Sequence, residues 1–175
     1  MGLFKPTYYS KSIYNVPISF YKKENVKVIF SDLDNTLDAF YQNEPTEQAL
    51  KLVLELKNAG IELIITSNNH GERVKRYSTL LNVRCHHSSK KPLSYKLNKF
   101  IKANNLKKEE ILVVGDQILT DIILSKGLKV RSLLVEPVVN KDLPITKFNR
   151  FFDKIIRKLM KKKLTKMEVK DYEQN

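Results

Sequence analysis

Asp32 and Asp34 carry the first chemistry in this chain, two carboxylates two residues apart at the end of the apolar run 26–30. In an extended chain the side chains at i and i+2 share one face, so both reach the same small ligand where a strand opens into a loop. One can attack while the other moves a proton. Acidic pairs are also common in surface turns, so the pair decides nothing by itself. Three later segments stand in similar places. Residues 61–65 run into Thr66-Ser67-Asn68-Asn69, Lys90-Lys91-Pro92 opens a helical stretch, and residues 111–114 run into Gly115-Asp116-Gln117-Ile118-Leu119-Thr120-Asp121.

Holding these groups together takes alternating strands and helices. Residues 26–31 read as a strand, and the helix near 46–59 has Pro45 at its start, Ala49, Leu52, Val53 and Leu56 on one face, and Gly60 as its stop. Strands are expected at 61–66, 83–86, 111–115 and 129–134, with helices near 71–81, 92–104 and 118–125. Largely apolar strands in this rhythm predict an α/β fold, a mainly parallel sheet with helices on both faces. Ligands of such sheets bind beyond the carboxyl ends of the strands, where every segment above falls. The gaps from Asp34 to Ser67 and from Ser67 to Lys91 leave no room for an inserted lid domain. The site is therefore expected to be open, or covered by a second protomer of a homo-oligomer.

Taken together, D-x-D-x-T, a strand ending in Ser-Asn, a Lys before Pro, and G-D-x-x-x-x-D resemble motifs I to IV of the haloacid dehalogenase (HAD) superfamily. DLDNTL (32–37), TSNN (66–69), KKP (90–92), GDQILTD (115–121) and a late T-x-F-N-R (146–150) look most like the YqeG-type phosphatases of HAD subfamily IIIA. The resemblance spans roughly residues 12–160 and implies a Rossmannoid three-layer sandwich without a cap domain, acting on a phosphomonoester. It implies Asp32 as nucleophile, forming an aspartyl-phosphate, and Asp34 as general acid and then base. Mg²⁺ would be held by the carboxylates of Asp32 and Asp116 and the backbone carbonyl of Asp34, with Asp121 and Thr36 arranged behind them. Ser67, Asn68 and Lys91 would take phosphoryl oxygens, Lys91 in preference to Lys90; capping the next helix or contacting the loop are the alternatives for Asn68. Relatives include phosphatidylglycerophosphate phosphatases; a soluble nucleotide or sugar phosphate fits the motifs equally well.

At 175 residues, 42% hydrophobic and 29% charged, the composition is that of one soluble globular domain. No apolar run approaches the roughly 20 residues that span a bilayer, and a cytoplasmic location is expected, with peripheral attachment to the inner face of the membrane as its variant. The lone Cys85 is expected to be reduced and partly buried. With His86 and His87 it lacks the second ligand pair of a zinc site, and His70 reads as a loop histidine.

The net charge of +13 is partly global, with 22 basic and 15 acidic residues in 1–146, and partly that of residues 147–175, with ten basic and four acidic residues. Such an excess attracts membrane surfaces, RNA or phosphorylated substrates, or reflects coding composition alone. No aromatic-rich RNA-binding motif accompanies it, which leaves a nucleic-acid or ribosome-associated protein as the weaker alternative. Residues 1–25, with four Tyr and two Pro, read as an irregular leader with one helical turn packed on a 26–150 core. Residues 151–175 read as a basic amphipathic helix and tail. Its stripe of Phe151, Phe152, Ile155, Ile156, Leu159, Met160 and Leu164 is suited either to packing on the body or to docking on an anionic membrane.

Overall fold

The computed structural model describes residues 2–69, 71–87, 89–139 and 147–169, without the side chains of 147–149. His70, Thr146 and the tail beyond 169 lie outside the described residues. Six strands form one parallel sheet: β1 (Tyr8–Ser10), β2 (Val28–Ser31), β3 (Glu62–Thr66), β4 (Arg84–His86), β5 (Ile111–Gly115) and β6 (Arg131–Val135), in the order β1-β6-β5-β2-β3-β4. The helices are α1 (Ile18–Lys23), α2 (Glu47–Asn58), α3 (Glu72–Leu80), α4 (Tyr95–Ala103), α5 (Ile123–Leu128) and α6 (Lys147–Lys166).

Central β2 is buried at every position, and alternation along the strands divides the core in two. Ile29, Leu63, Ile65, Leu112 and Val114 face the layer that contains Leu52, Leu56, Val74 and Tyr77 of α2 and α3. Val28, Phe30, Ile64, Ile111 and Val113 face Leu97 and Ile101 of α4 and Leu124 and Leu128 of α5. Helix α2 starts where expected because Thr46 accepts from the Ala49 amide, and it stops at Gly60, whose φ of 72° favours a residue without Cβ. Residues 35–66 hold only a loop, α2 and β3, and the chain from Ser67 to Lys91 holds α3 and β4, so neither gap contains a cap domain.

Two regions differ from the sequence reading. Residues 8–10, read as part of an irregular leader, pair with β6 and extend the sheet by one edge strand. Short and rich in Tyr, this strand carries little periodicity of its own. The expected helix at 118–125 is two pieces, a π-helical turn at Ile118–Ile122 followed by α5.

The stripe on α6 is also divided. Met160 and Leu164 pack with Ile118, Ile122 and Leu134, and Ile156 lies against them. Phe151, Phe152, Ile155 and Leu159 are exposed, with Leu159 at 69% against 2% for Met160. Met160→Ala should therefore lower stability by about 2–5 kcal/mol in urea unfolding, while Leu159→Ala should stay within about 0.5 kcal/mol. Equal losses at the two positions would contradict this placement.

Candidate active site

Strands β2, β3 and β5 end side by side, and the loops that follow them build the site. After β2 the chain turns at Asn35, whose φ of 63° suits an asparagine, and the Leu33 carbonyl accepts from the amides of Thr36, Leu37 and Asp38. Asp38 pins this turn from below. Its carboxylate accepts from the Thr46 amide at 3.0 Å and hydroxyl at 2.9 Å, and also from the Tyr77 hydroxyl. The turn presents Asp32 inward, while Thr36 Oγ1 donates to Asp116 Oδ1 at 3.3 Å.

After β5, Gly115 lets Asp121 fold back over the strand end: a Cβ at this position would collide with the Asp121 carboxylate. The π turn brings Asp121 round, with its Oδ2 accepting from the Gln117 amide at 3.2 Å. Carboxylate oxygens of Asp32, Asp116 and Asp121 thus lie within 4.8 Å of one another, all three residues buried. Asp121, expected to orient metal-bound water behind the ligands, brings its carboxylate from the π turn to the same point as Asp32 and Asp116.

Lys91 closes the cluster from the other side. Its Nζ donates to Asp32 Oδ1 and Asp121 Oδ1, each at 2.7 Å, from a nearly fully buried position. Lys90, the competing lysine, is exposed. Asn68 contacts the loop that carries Lys91. Its Oδ1 accepts from the Lys91 amide at 2.6 Å and its Nδ2 donates to the Lys91 carbonyl at 2.9 Å, so the carboxamide holds the Lys91 backbone from both sides. Ser67 is buried beside it and accepts from the Asn69 amide through Oγ at 3.1 Å. Asp34 turns away from the cluster, with Oδ1 on Arg73 at 2.7 Å and Oδ2 on Asn69 at 2.6 Å.

Helix α6 contributes residues to which the sequence reading gave no role. Arg150 pairs with Asp116 Oδ2. Asp153 accepts from the amides of Ile118 at 3.1 Å and Leu119 at 3.3 Å, and Arg157 donates to the Asp116 carbonyl at 2.7 Å while pairing with Glu136 at 2.9 Å. The signal was present in T-x-F-N-R, which ends at Arg150, and in polar residues at i, i+3 and i+7 on the helix. Arg73 had no comparable signal.

The cluster has the chemistry of a divalent-cation site. Among the described residues its three carboxyl groups pair with two cations, Lys91 and Arg150. Buried oxygen donors of this kind fit a hard divalent cation such as Mg²⁺. Burial pushes Asp32 up, Lys91 pulls it back, and the neighbouring carboxylates add repulsion, leaving it at about 8. Burial likewise raises Asp116 to about 6 against the pull of Arg150. Burial would lower the Lys91 ammonium, but Asp121 and Asp32 outweigh it and hold it above the ordinary lysine range.

The sequence profile of the family described as mitochondrial PGP phosphatase matches residues 2–139. This chain belongs to the PGP phosphatase family. The probable phosphatase YqeG of Bacillus subtilis is 35% identical to this PGP phosphatase family member over 160 residues, 91% of this chain and 93% of that protein. Two solved structures share its fold. The cobalt-bound deoxy-D-mannose-octulosonate 8-phosphate phosphatase of Haemophilus influenzae has a TM-score of 0.50 at 15% identity, over 81% of this chain and 92% of that one. The 3-deoxy-D-manno-octulosonate 8-phosphate phosphatase of Yersinia pestis has a TM-score of 0.50 at 12% identity, over 83% and 88%. The PGP phosphatase family member is thus a phosphatase of the YqeG kind.

A cation entering this cluster must displace the proton that Asp32 largely retains at neutral pH, and the small fraction left on Asp116. Mg²⁺ binding should therefore tighten as pH rises from 6 to 8, and release about one proton at pH 7. Calorimetry in two buffers of different ionisation enthalpy measures that release; heats that do not depend on the buffer would contradict the raised carboxyls.

Proposed function

We propose that this chain is a Mg²⁺-dependent phosphomonoester hydrolase working through an aspartyl-phosphate on Asp32, with phosphatidylglycerophosphate or another bulky phosphomonoester as its substrate. The observation that carries this reading is the Lys91 ammonium shared between Asp32 and Asp121 beside Asp116, in a chain of a phosphatase family. Asp32 attacks phosphorus, the bond from phosphorus to the leaving oxygen breaks, and Asp34 gives that oxygen a proton. Asp34 then takes a proton from water, which attacks the phosphorylated Asp32 and releases inorganic phosphate with the carboxylate restored. Lys91 and the Ser67 hydroxyl donate to the non-bridging oxygens. Asp32, Asp116 and the Asp34 carbonyl are the groups that would hold Mg²⁺, with Asp121 beside them and Thr36 and Arg150 fixing Asp116. When bound, the ion supplies charge neutralisation at the phosphoryl oxygens.

A bulky or surface-held substrate suits a site without a cap domain. The exposed face of α6 favours an anionic bilayer as the place where that substrate is met, peripheral to the inner face of a membrane. Phe151, Phe152, Ile155 and Leu159 lie exposed among Lys154, Lys158, Lys162 and Lys166, and Arg150 at the start of the same helix reaches Asp116. No described helix is long and apolar enough to cross a membrane.

Asp32→Asn keeps the shape of the side chain but removes the nucleophile and one metal ligand. It should fold normally and fall below about a thousandth of wild-type turnover in a Mg²⁺ screen of soluble and lipid phosphomonoesters. Activity above that level, or full activity in EDTA, would defeat the mechanism. Changing Lys158, Lys161, Lys162 and Lys163 together to Gln should weaken binding to phosphatidylglycerol vesicles by at most about 1 kcal/mol per charge, and added salt should have the same effect. Unchanged vesicle binding would remove the membrane from the proposal and leave a soluble phosphomonoester.

A further inference from the structure

Asp34 has to face the leaving oxygen in the proposed reaction, yet both of its oxygens are already taken. Arg73 Nη1 holds Oδ1 at 2.7 Å and Asn69 Nδ2 holds Oδ2 at 2.6 Å. Turning to a substrate means giving up at least one of these bonds. The guanidinium does not depend on Asp34 for its position, because Nε donates to the Gln42 carbonyl at 2.8 Å and Nη2 to the Ala39 carbonyl at 3.4 Å. Those two partners are neutral. Once Asp34 turns away, a fixed cation is left beside the leaving group with its charge uncompensated by either.

The position suits a ligand. The Arg73 side chain is 23% exposed and that of Asp34 16%, so the pair stands at the rim of the site, apart from the buried Asp32, Asp116 and Asp121. Arg76, on the same helix, is already paired with Glu44 out in solvent, so it has no such charge to offer. A planar guanidinium held by two carbonyls is pre-organised for a bidentate oxyanion, and a neighbouring amide N–H adds a third donor.

We infer that Arg73, with Asn69, forms a subsite for a second anionic group carried by the leaving alcohol. A phosphodiester, phosphate or carboxylate a few atoms from the scissile bond takes the place of Asp34 on Arg73 as Asp34 turns to the leaving oxygen. The inference rests on the phosphatase reading in its placement of Asp34, and it adds that the substrate is recognised at two anions. A lipid headgroup with a phosphodiester and a soluble bisphosphate share this chemistry.

Three substrates separate the cases under Mg²⁺: glycerol 3-phosphate, with a neutral leaving alcohol; phosphatidylglycerophosphate stripped of its acyl chains, with a phosphodiester; and a sugar bisphosphate. Wild type should have a KM about tenfold to a hundredfold lower for a substrate with the second anion. Arg73→Gln should shrink the preference for the second anion by a similar factor, read as the ratio of kcat/KM between substrates so that any loss through Asp34 common to all of them cancels, with Arg73→Lys between. Preference for the phosphodiester alone identifies a lipid headgroup, and preference for the bisphosphate identifies a soluble dianion. Equal losses on all substrates, or no preference in wild type, would overturn the subsite and leave Arg73 a support for Asp34.

Glycerophosphoglycerol, the alcohol product, has the diester but no monoester, so its binding needs no turnover. Calorimetry should show it binding to wild type and more weakly to a folded Arg73→Gln variant. Loss of this difference counts against the subsite, whereas absence of all hydrolysis with the difference intact counts against the phosphatase mechanism alone.

Discussion

Lys91 Nζ stands 2.7 Å from both Asp32 Oδ1 and Asp121 Oδ1. Carboxyl groups crowded into a buried space repel one another as they ionise, and the low dielectric of the interior screens them little. One ammonium shared by two of them makes the crowding tolerable, and much of the surrounding structure serves to keep that ammonium in place. Asn68 clamps the Lys91 backbone by two hydrogen bonds, the Ser67 carbonyl accepts from the Ser89 amide just upstream, and Gly115 clears the space that Asp121 occupies. Removing Lys91 alone would leave buried anions without compensation, a costly state for any fold.

A second support comes from far along the chain. Helix α6 is tied to the turn after β5 by polar groups at its start and by apolar groups further on. Arg150 and Arg157 hold the two ends of Asp116, Asp153 caps the amides of Ile118 and Leu119, and Met160 and Leu164 seal the contact. The π turn there gives amides and carbonyls less regular partners than an α turn. Asp153 satisfies two of the turn's amides from outside it, and Arg157 holds the Asp116 carbonyl just before it.

The fold could be read from the sequence because its strands are buried on both faces and therefore nearly continuous in apolar residues, as in Val28–Ser31 and Ile111–Gly115. Motif spacing then set Asp32, Lys91, Asp116 and Asp121 at adjacent strand ends. What spacing could not convey was side-chain direction. For Asn68, spacing leaves a phosphate role, a helix cap and a loop contact open, and its carboxamide meets the Lys91 peptide, a partner 23 residues away. Asp121 sits on a π turn that has no periodic signature. The α6 stripe is visible as apolar, but its division into buried Met160 and exposed Leu159 goes with a helix rotation at which Arg150, Asp153 and Arg157 meet the turn after β5, and polar anchors are not part of an apolar count. Strand β1 is only three residues long and takes its identity from the edge of β6.

Strand β1 also has a neighbour on its outer side. The Tyr9 amide donates to the Met167 carbonyl at 2.9 Å and the Val169 amide donates to the Tyr9 carbonyl at 2.8 Å, so residues near opposite ends of the sequence meet at one edge of the sheet. Contacts of such long sequence separation form late, because the chain between them must be ordered first. During synthesis the strands that carry Asp32 and Asp116 leave the ribosome well before α6 does. A growing chain thus passes through a stage in which Asp116 is present without Arg150, and the electrostatic balance of the cluster is completed only when the last helix closes on the first strand.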